Sequence, residues 1–202
     1  MKIKNSYDWI LLLKEYKKIA NNKKNVIEIG SSNKSKTKQL AKHCKKCLGI
    51  EYYAQRIPKS FKNIKYKQGD WQKLNNVKSN TFEILISSHT LEHTKNDLNA
   101  INETYRVLKP NGIGLITTPN RKRLIRVFVE FFTGKKKFPY QEHQREYTYQ
   151  DLKKILIKSK FKKYKIIPVA IGLHAEKIKL FSKKVPKILK NYACYWLIKV
   201  KK

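Results

Sequence analysis

Acidic residues are scarce in this chain: 14 Asp and Glu stand against 47 Lys and Arg, a formal charge of +33. Such an excess draws a protein toward RNA, DNA or anionic surfaces at low salt, but attraction alone makes none of them a substrate. Long apolar runs are missing too. Stretches such as Trp9 to Leu13 fall far short of the roughly 20 residues a membrane span needs, and the N-terminus meets Lys and Glu too soon for a secretory signal. A cytoplasmic location is expected. Three cysteines, Cys44, Cys47 and Cys194, are too few for a disulfide framework. The pair Cys44-Lys45-Lys46-Cys47 lacks the second Cys or His pair that a structural zinc requires, so no metal is expected.

What is present is apolar sequence in short, alternating segments. Hydrophobic residues make up 41% of the 202, enough for one domain with its own core. Ser6 caps a first helix to about Ala20, within an N-terminal helical segment spanning 1–24. Val26 to Ile29 then reads as a buried strand ending at Gly30, Lys34 to Cys44 as a helix, Cys47 to Ile50 and Asn63 to Lys67 as strands, and Phe82 to Ser87 as a stronger one. Thr94 to Leu108 has helical periodicity and stops at Lys109-Pro110-Asn111-Gly112, ahead of a strand from Ile113 to Thr118. Arg121 to Phe132 reads as an extra amphipathic helix, followed by a basic loop from Thr133 to Phe138. Thr148 caps a helix to about Ser159, and Phe161 to Ile171 and Ala193 to Val200 close the chain as two strands. This alternation predicts an α/β three-layer sandwich around a mainly parallel sheet of seven strands, with ligands bound beyond the strands' carboxyl ends.

With so few acids, their positions carry information. Glu28 closes the first strand beside Gly30, Glu51 closes the second, and Asp70 follows the third. In a parallel sheet these ends converge on one edge. A glycine at the first turn admits a ligand close to the backbone, and an acid about 20 residues later accepts hydrogen bonds from both hydroxyls of a ribose. Asp70 is then placed to accept from an adenine amino group.

Two near-misses are set aside. Gly30 to Thr37 falls one residue short of a phosphate-binding loop, since Ser35 stands where the second glycine belongs and strand four ends in Ser87-Ser88-His89 without a magnesium-binding Asp. His89-Thr90-Leu91-Glu92-His93 has the spacing of an inverted zinc-protease motif, but that chemistry needs the two histidines on one face of a regular helix with a third ligand further on, and here they follow a strand directly.

Val26-Ile27-Glu28-Ile29-Gly30-Ser31-Ser32, Gly69-Asp70-Trp71, Phe82 to His93, and the passage from Arg106 through Pro110 to Pro119-Asn120 together resemble the class I S-adenosylmethionine-dependent methyltransferases, in particular their type 11 branch. The resemblance covers about residues 24 to 171 and implies a Rossmann-like sheet, S-adenosylmethionine as cofactor, and Glu28, Gly30, Ser32, Glu51, Asp70, Trp71, Ser88 and His89 around it. One departure is that Ser32 and Lys34 stand where that family carries further glycines. Lys34 is positioned to meet the cofactor's carboxylate. In Gln141-Glu142-His143-Gln144-Arg145-Glu146-Tyr147-Thr148 the resemblance implies an acceptor-side segment, 121–147, as in enzymes that modify sugars, lipids and the cell envelope. A small-molecule, glycan-like or lipid-linked acceptor is expected, with RNA as the alternative and a non-catalytic binding protein as a third reading. The expected general base is His143, then His89 or His93, because imidazole suits proton transfer near neutral pH.

Overall fold

The computed structural model describes residues 6–134, 142–174 and 179–202. Its elements are α1 (Tyr7–Ile19), β1 (Asn25–Ile29), α2 (Lys34–Ala41), β2 (Lys46–Glu51), β3 (Ile64–Gln68), β4 (Phe82–Ser88), α3 (Asp97–Val107), β5 (Leu108–Pro119), α4 (Leu124–Thr133), α5 (Tyr149–Lys158), β6 (Lys163–Val169), β7 (Ile171–His174), β8 (Lys179–Ser182) and β9 (Tyr195–Lys201). Seven strands form one sheet in the order β3-β2-β1-β4-β5-β9-β6. Those from β1 to β5 run parallel, and β9 lies antiparallel between β5 and β6.

The period of two in the central strands builds both faces at once. Ile27, Ile29, Leu85, Ile116 and Ile198 point to one side, where Ala100 and Ile101 of α3 and Leu152 and Leu156 of α5 cover them. Their neighbours Val26, Ile84, Ile86, Leu115 and Leu197 point to the other, under Trp9, Leu12 and Tyr16 of α1 and Leu40 of α2. The result is the expected three-layer, mainly parallel α/β sandwich. Cys44 and Cys47 are free and buried in the second layer.

Two local expectations are corrected. Lys109-Pro110-Asn111-Gly112 does not separate helix from strand; it lies within β5, which pairs Phe82 with Leu108 and then jumps to pair Ile84 with Ile113. The chain swells there because Pro110 has no amide to donate and Asn111 takes a left-handed φ of 63°. The second concerns Phe161 to Ile171, which is not one strand. β6 ends at Val169, Ala170 turns with φ 54°, and β7 leaves the sheet to form a hairpin with β8. Most of the expected basic loop from Thr133 to Phe138, and Gln141, lie outside the described residues.

The sheet order reverses between β1 and β4: from β1 the chain moves outward through β2 and β3, then crosses back to β4. Loops from the two halves part at that point and leave a crevice above the carboxyl ends.

α5 carries a full capping box, with Thr148 Oγ1 accepting from the Asp151 amide at 3.2 Å and Asp151 Oδ2 accepting from the Thr148 amide at 2.9 Å. Thr148→Ala is expected to lower the unfolding free energy by about 1 kcal/mol, measured by urea denaturation.

Candidate functional site

The crevice is a cleft of about 600 Å³. Glu28, Gly30, Ser32, Glu51, Asp70, Trp71, Ser88 and His89, the residues expected around a cofactor, all line it, as does His93. Gly30 has φ +77°, and a Cβ there would collide with the hydroxyl of Thr90. Glycine is therefore required on both conformational and steric grounds. The amides of Gly30 and Ser31 donate to Ile50 O at 2.8 and 3.1 Å, which ties the first turn to the end of β2.

The three strand-end acids have different surroundings. Glu28 is 3% exposed and its Oε2 has no hydrogen-bond partner; burial pushes its carboxyl up to about 7, against the opposing pull of Thr37 and Lys36. Glu51 Oε1 accepts the Tyr53 amide at 3.2 Å. Asp70 Oδ1 accepts the amide of Gln72 at 2.8 Å and its Nε2 at 3.0 Å, holding the carboxylate at the cleft rim. Trp71 borders the cleft with its indole buried in the core, where it donates to Thr104 Oγ1 at 3.1 Å.

Behind the cleft lies a charged clamp that the sequence reading missed. Asp8, in the first turn of α1, is fully buried. Its Oδ2 is 2.8 Å from His89 Nε2 and accepts from Thr117 Oγ1 at 3.0 Å. The other ring nitrogen of His89, Nδ1, lies 3.3 Å from Glu92 Oε1, while Glu92 Oε2 accepts from Thr118 at 3.0 Å. Desolvation would lower the pKa of His89, but the two carboxylates outweigh it and raise the imidazole to about 10. Desolvation acts on Asp8 in the opposite sense, and His89 overcomes it to hold the carboxyl well below its ordinary range. His89 is thus an imidazolium with both nitrogens facing acids. It has no lone pair with which to take a proton at neutral pH, so it frames the cleft rather than serving as a base. The only sequence signal for Asp8 was an acid in the first turn of a helix in a chain with few acids.

Lys34 does not line the cleft; Lys36, half a turn later, does. Its Nζ donates to Ser88 Oγ at 3.1 Å and sits 4.9 Å from the Trp9 ring centre.

The segment after residue 141 straps over the end of β4. Gln144 and Arg145 amides donate to Glu92 O at 2.9 and 3.3 Å, and Tyr147 donates its hydroxyl to Leu91 O at 3.2 Å. His143 packs behind this strap instead of lining the cleft, with Nδ1 3.3 Å from Glu146 Oε1. Its ring meets that of His93 edge-on at 4.8 Å, and His93 Nδ1 is 3.1 Å from Glu142 O. A carbonyl only accepts, so Nδ1 of His93 is the donor in this contact, which leaves Nε2 outside it. Glu146 is buried; despite desolvation, His143, Arg123 and Arg126 bring its carboxyl down to about 2. Ligand atoms of Glu92, His93 and His143 lie within 4.8 Å of one another, a grouping the sequence did not predict. Glu92 is already engaged by the imidazolium of His89, which disfavours a further cation there.

Residues 27–116 match the family profile described as a methyltransferase domain. Among solved structures the chain is similar to an S-adenosylmethionine-dependent methyltransferase from Archaeoglobus fulgidus (17% identity, TM-score 0.67, 100% of this chain and 96% of that one). It is also similar to the YcgJ protein of Bacillus subtilis (16% identity, TM-score 0.69, 96% and 97%) and to an S-adenosylmethionine-dependent methyltransferase from Aquifex aeolicus (14% identity, TM-score 0.63, 96% and 89%). A search of curated proteins returned no match.

The clamp has a defined pH window. Because His89 is raised above its unfolded value of 6.5, its stabilisation is complete below about 6.5 and is lost as pH climbs through about 10. Asp8 is depressed from 3.8, so its share is present above that value and is lost on acidification. Asp8→Asn is expected to cost about 3 kcal/mol at pH 7 by removing the buried carboxylate that pairs with His89. Urea denaturation of both proteins across pH should show that difference shrinking above pH ~10, while the NMR titration of His89 moves down toward ~6.5 in the variant.

Proposed function

We propose that the chain is a class I S-adenosylmethionine-dependent methyltransferase, a reading supported by the methyltransferase-domain match over residues 27–116 and by the shared fold, and that it methylates a small, glycan-like or lipid-linked acceptor presented between the cofactor cleft and the segment 121–147. The observation that carries the cofactor half is the convergence of Glu28, Gly30, Glu51 and Asp70 on one cleft, with Glu28 Oε2 buried and unpartnered. These residues fit the group. Gly30 would admit it to the backbone, Glu51 would accept from its ribose hydroxyls and Asp70 from its adenine amino group, and Lys36, in place of Lys34, would meet its carboxylate. When bound, it supplies an electrophilic methyl on a sulfonium, which needs no metal for in-line displacement.

The chain's own work is alignment and proton removal. Holding the acceptor atom about 3 to 3.5 Å from the methyl in line supplies much of the acceleration. A hydroxyl or ammonium acceptor must also lose a proton. His93 lines the cleft and its Nδ1 is held by Glu142 O, so Nε2 of His93 is the atom we assign to that step. His143 stands behind it as a positioning residue. The scaffold 1–202 acts as a single domain in this reading, with α4 and the strap forming the acceptor side.

Glu51→Ala is expected to weaken S-adenosylmethionine binding about 5- to 150-fold; calorimetry on the folded variant with unchanged affinity would count against the assignment. His93→Ala should lower kcat about 10²-fold or more with cofactor affinity retained. His143→Ala should show a smaller loss in kcat and an altered pH profile.

The +33 charge favours a second reading, methylation of RNA. Lysine attraction alone predicts binding to unrelated RNAs that falls steeply and equally between about 50 and 200 mM salt, without methyl incorporation. Labelled methyl entering one defined RNA at about 150 mM salt would replace the first reading with the second.

A further inference from the structure

α4 is built inside out. Its charged side chains point into the protein: Arg126 is 5% exposed, with Nη1 2.6 Å from Glu146 Oε2 and Nε 3.0 Å from Glu130 Oε1, and Arg121 reaches Glu130 at 2.7 Å. Its outer face carries Val127, Phe128, Val129, Phe131 and Phe132, which are 40%, 50%, 49%, 81% and 76% exposed. A helix lying on a globular protein shows the opposite polarity. An apolar face of this size, left on the surface, marks an interaction site.

We propose that α4 is a membrane-docking helix that lays its phenylalanine face into the interface of an anionic bilayer. The reading goes beyond the acceptor assignment, and vesicle binding tests it without any methyl transfer. Charge complementarity identifies the occupant. The chain is +33, and the acid of α4, Glu130, is neutralised internally by Arg121 and Arg126, so the face offers no free carboxylate to repel an anionic surface. Beside it, Asn120 donates to Asn191 O at 2.8 Å and to Ala193 O at 2.7 Å, fastening the segment Lys187–Tyr192 to the approach of α4. That segment sets Ile188, 87% exposed, between Lys187 and Lys190. Apolar side chains with flanking lysines form the pattern of helices that rest in a charged lipid interface.

Other occupants fit less well. Two copies meeting through α4 would bring two strongly positive bodies together. RNA stacks on open aromatic faces, whereas Phe128 and Phe132 stack on each other at 6.5 Å and Phe131 meets Phe132 edge-on at 5.3 Å.

The test is flotation with vesicles of phosphatidylcholine, with and without about one third phosphatidylglycerol, at about 150 mM salt. The parent protein should float with the anionic vesicles and far less with the neutral ones. Phe131→Ser with Phe132→Ser, at positions too exposed to disturb folding, should reduce partitioning about tenfold or more. In a separate variant, Phe131→Trp, emission should shift to the blue on adding anionic vesicles, against the native Trp9, Trp71 and Trp196, which are already buried. Four results would overturn the proposal: no vesicle binding, binding that the double serine variant leaves unchanged, a lipid-free dimer that this variant dissolves, or a blue shift with RNA and none with vesicles.

Discussion

The arrangement on which the rest of the site depends is the pairing of one imidazolium, half-buried at the cleft wall, with two fully buried carboxylates. Asp8 arrives on the first helix, His89 and Glu92 on the loop after β4. None of the three is tolerable alone in that environment, because an isolated buried charge costs several kcal/mol (order of magnitude) and would shed or gain a proton instead. Assembled, they lock α1 to the sheet's carboxyl edge, and they hold His89 at φ 55°, a left-handed value that a non-glycine residue keeps only where its surroundings compel it. The wall of the cleft opposite Gly30 is therefore set by electrostatics as much as by apolar packing.

Two groups stand out among the other described acids. Glu83 pairs with Lys109 and accepts the Asn25 amide, Glu103 pairs with Arg106 and accepts the Leu74 amide, Asp97 pairs with Arg145, and Glu146 takes two arginines and a histidine. These pairs tie neighbouring elements together: Glu83 joins strands, Glu103 and Asp97 hold loops to α3, and Glu146 holds α4 to the segment before α5. Glu28, Glu51 and Asp70 form no ion pair within 4 Å among the described residues, and their nearest partners are backbone amides or neutral side chains. In a chain with more than three cations for each acid, acids in a cleft with no direct ion pair are conspicuous. They retain acceptor capacity for hydroxyl and amino groups of a ligand.

The outer helix and the cleft are joined by continuous packing. Arg126 of α4 meets Glu146, Glu146 meets His143, and His143 lies against His93 at the cleft wall. The polar side of α4 is thus occupied in holding up the histidine pair. This explains why that helix turns its charges inward and leaves its phenylalanines on the surface.

Much of this could be read directly from the residues. Short apolar segments of alternating parity define strands buried on both sides, and Thr148 with Asp151 defines a helix start, because these are local effects of side-chain direction and backbone hydrogen bonding. Glu28, Gly30, Glu51 and Asp70 were legible for the same reason: each sits at a strand end, and a parallel sheet brings such ends to one edge. What required the tertiary structure were contacts between residues far apart in the chain. Asp8 and His89 are 81 positions apart, and nothing local to either reveals the other. Without that pairing His89 looks like a base; with it, the ring is a fixed cation. Lys36 and Lys34 cannot be told apart until the helix start sets which one faces the cleft. The same holds for His93 and His143, whose order at the cleft wall depends on how the strap crosses the end of β4. Protonation state and access to a cleft follow from the surroundings in space, which a linear pattern does not contain.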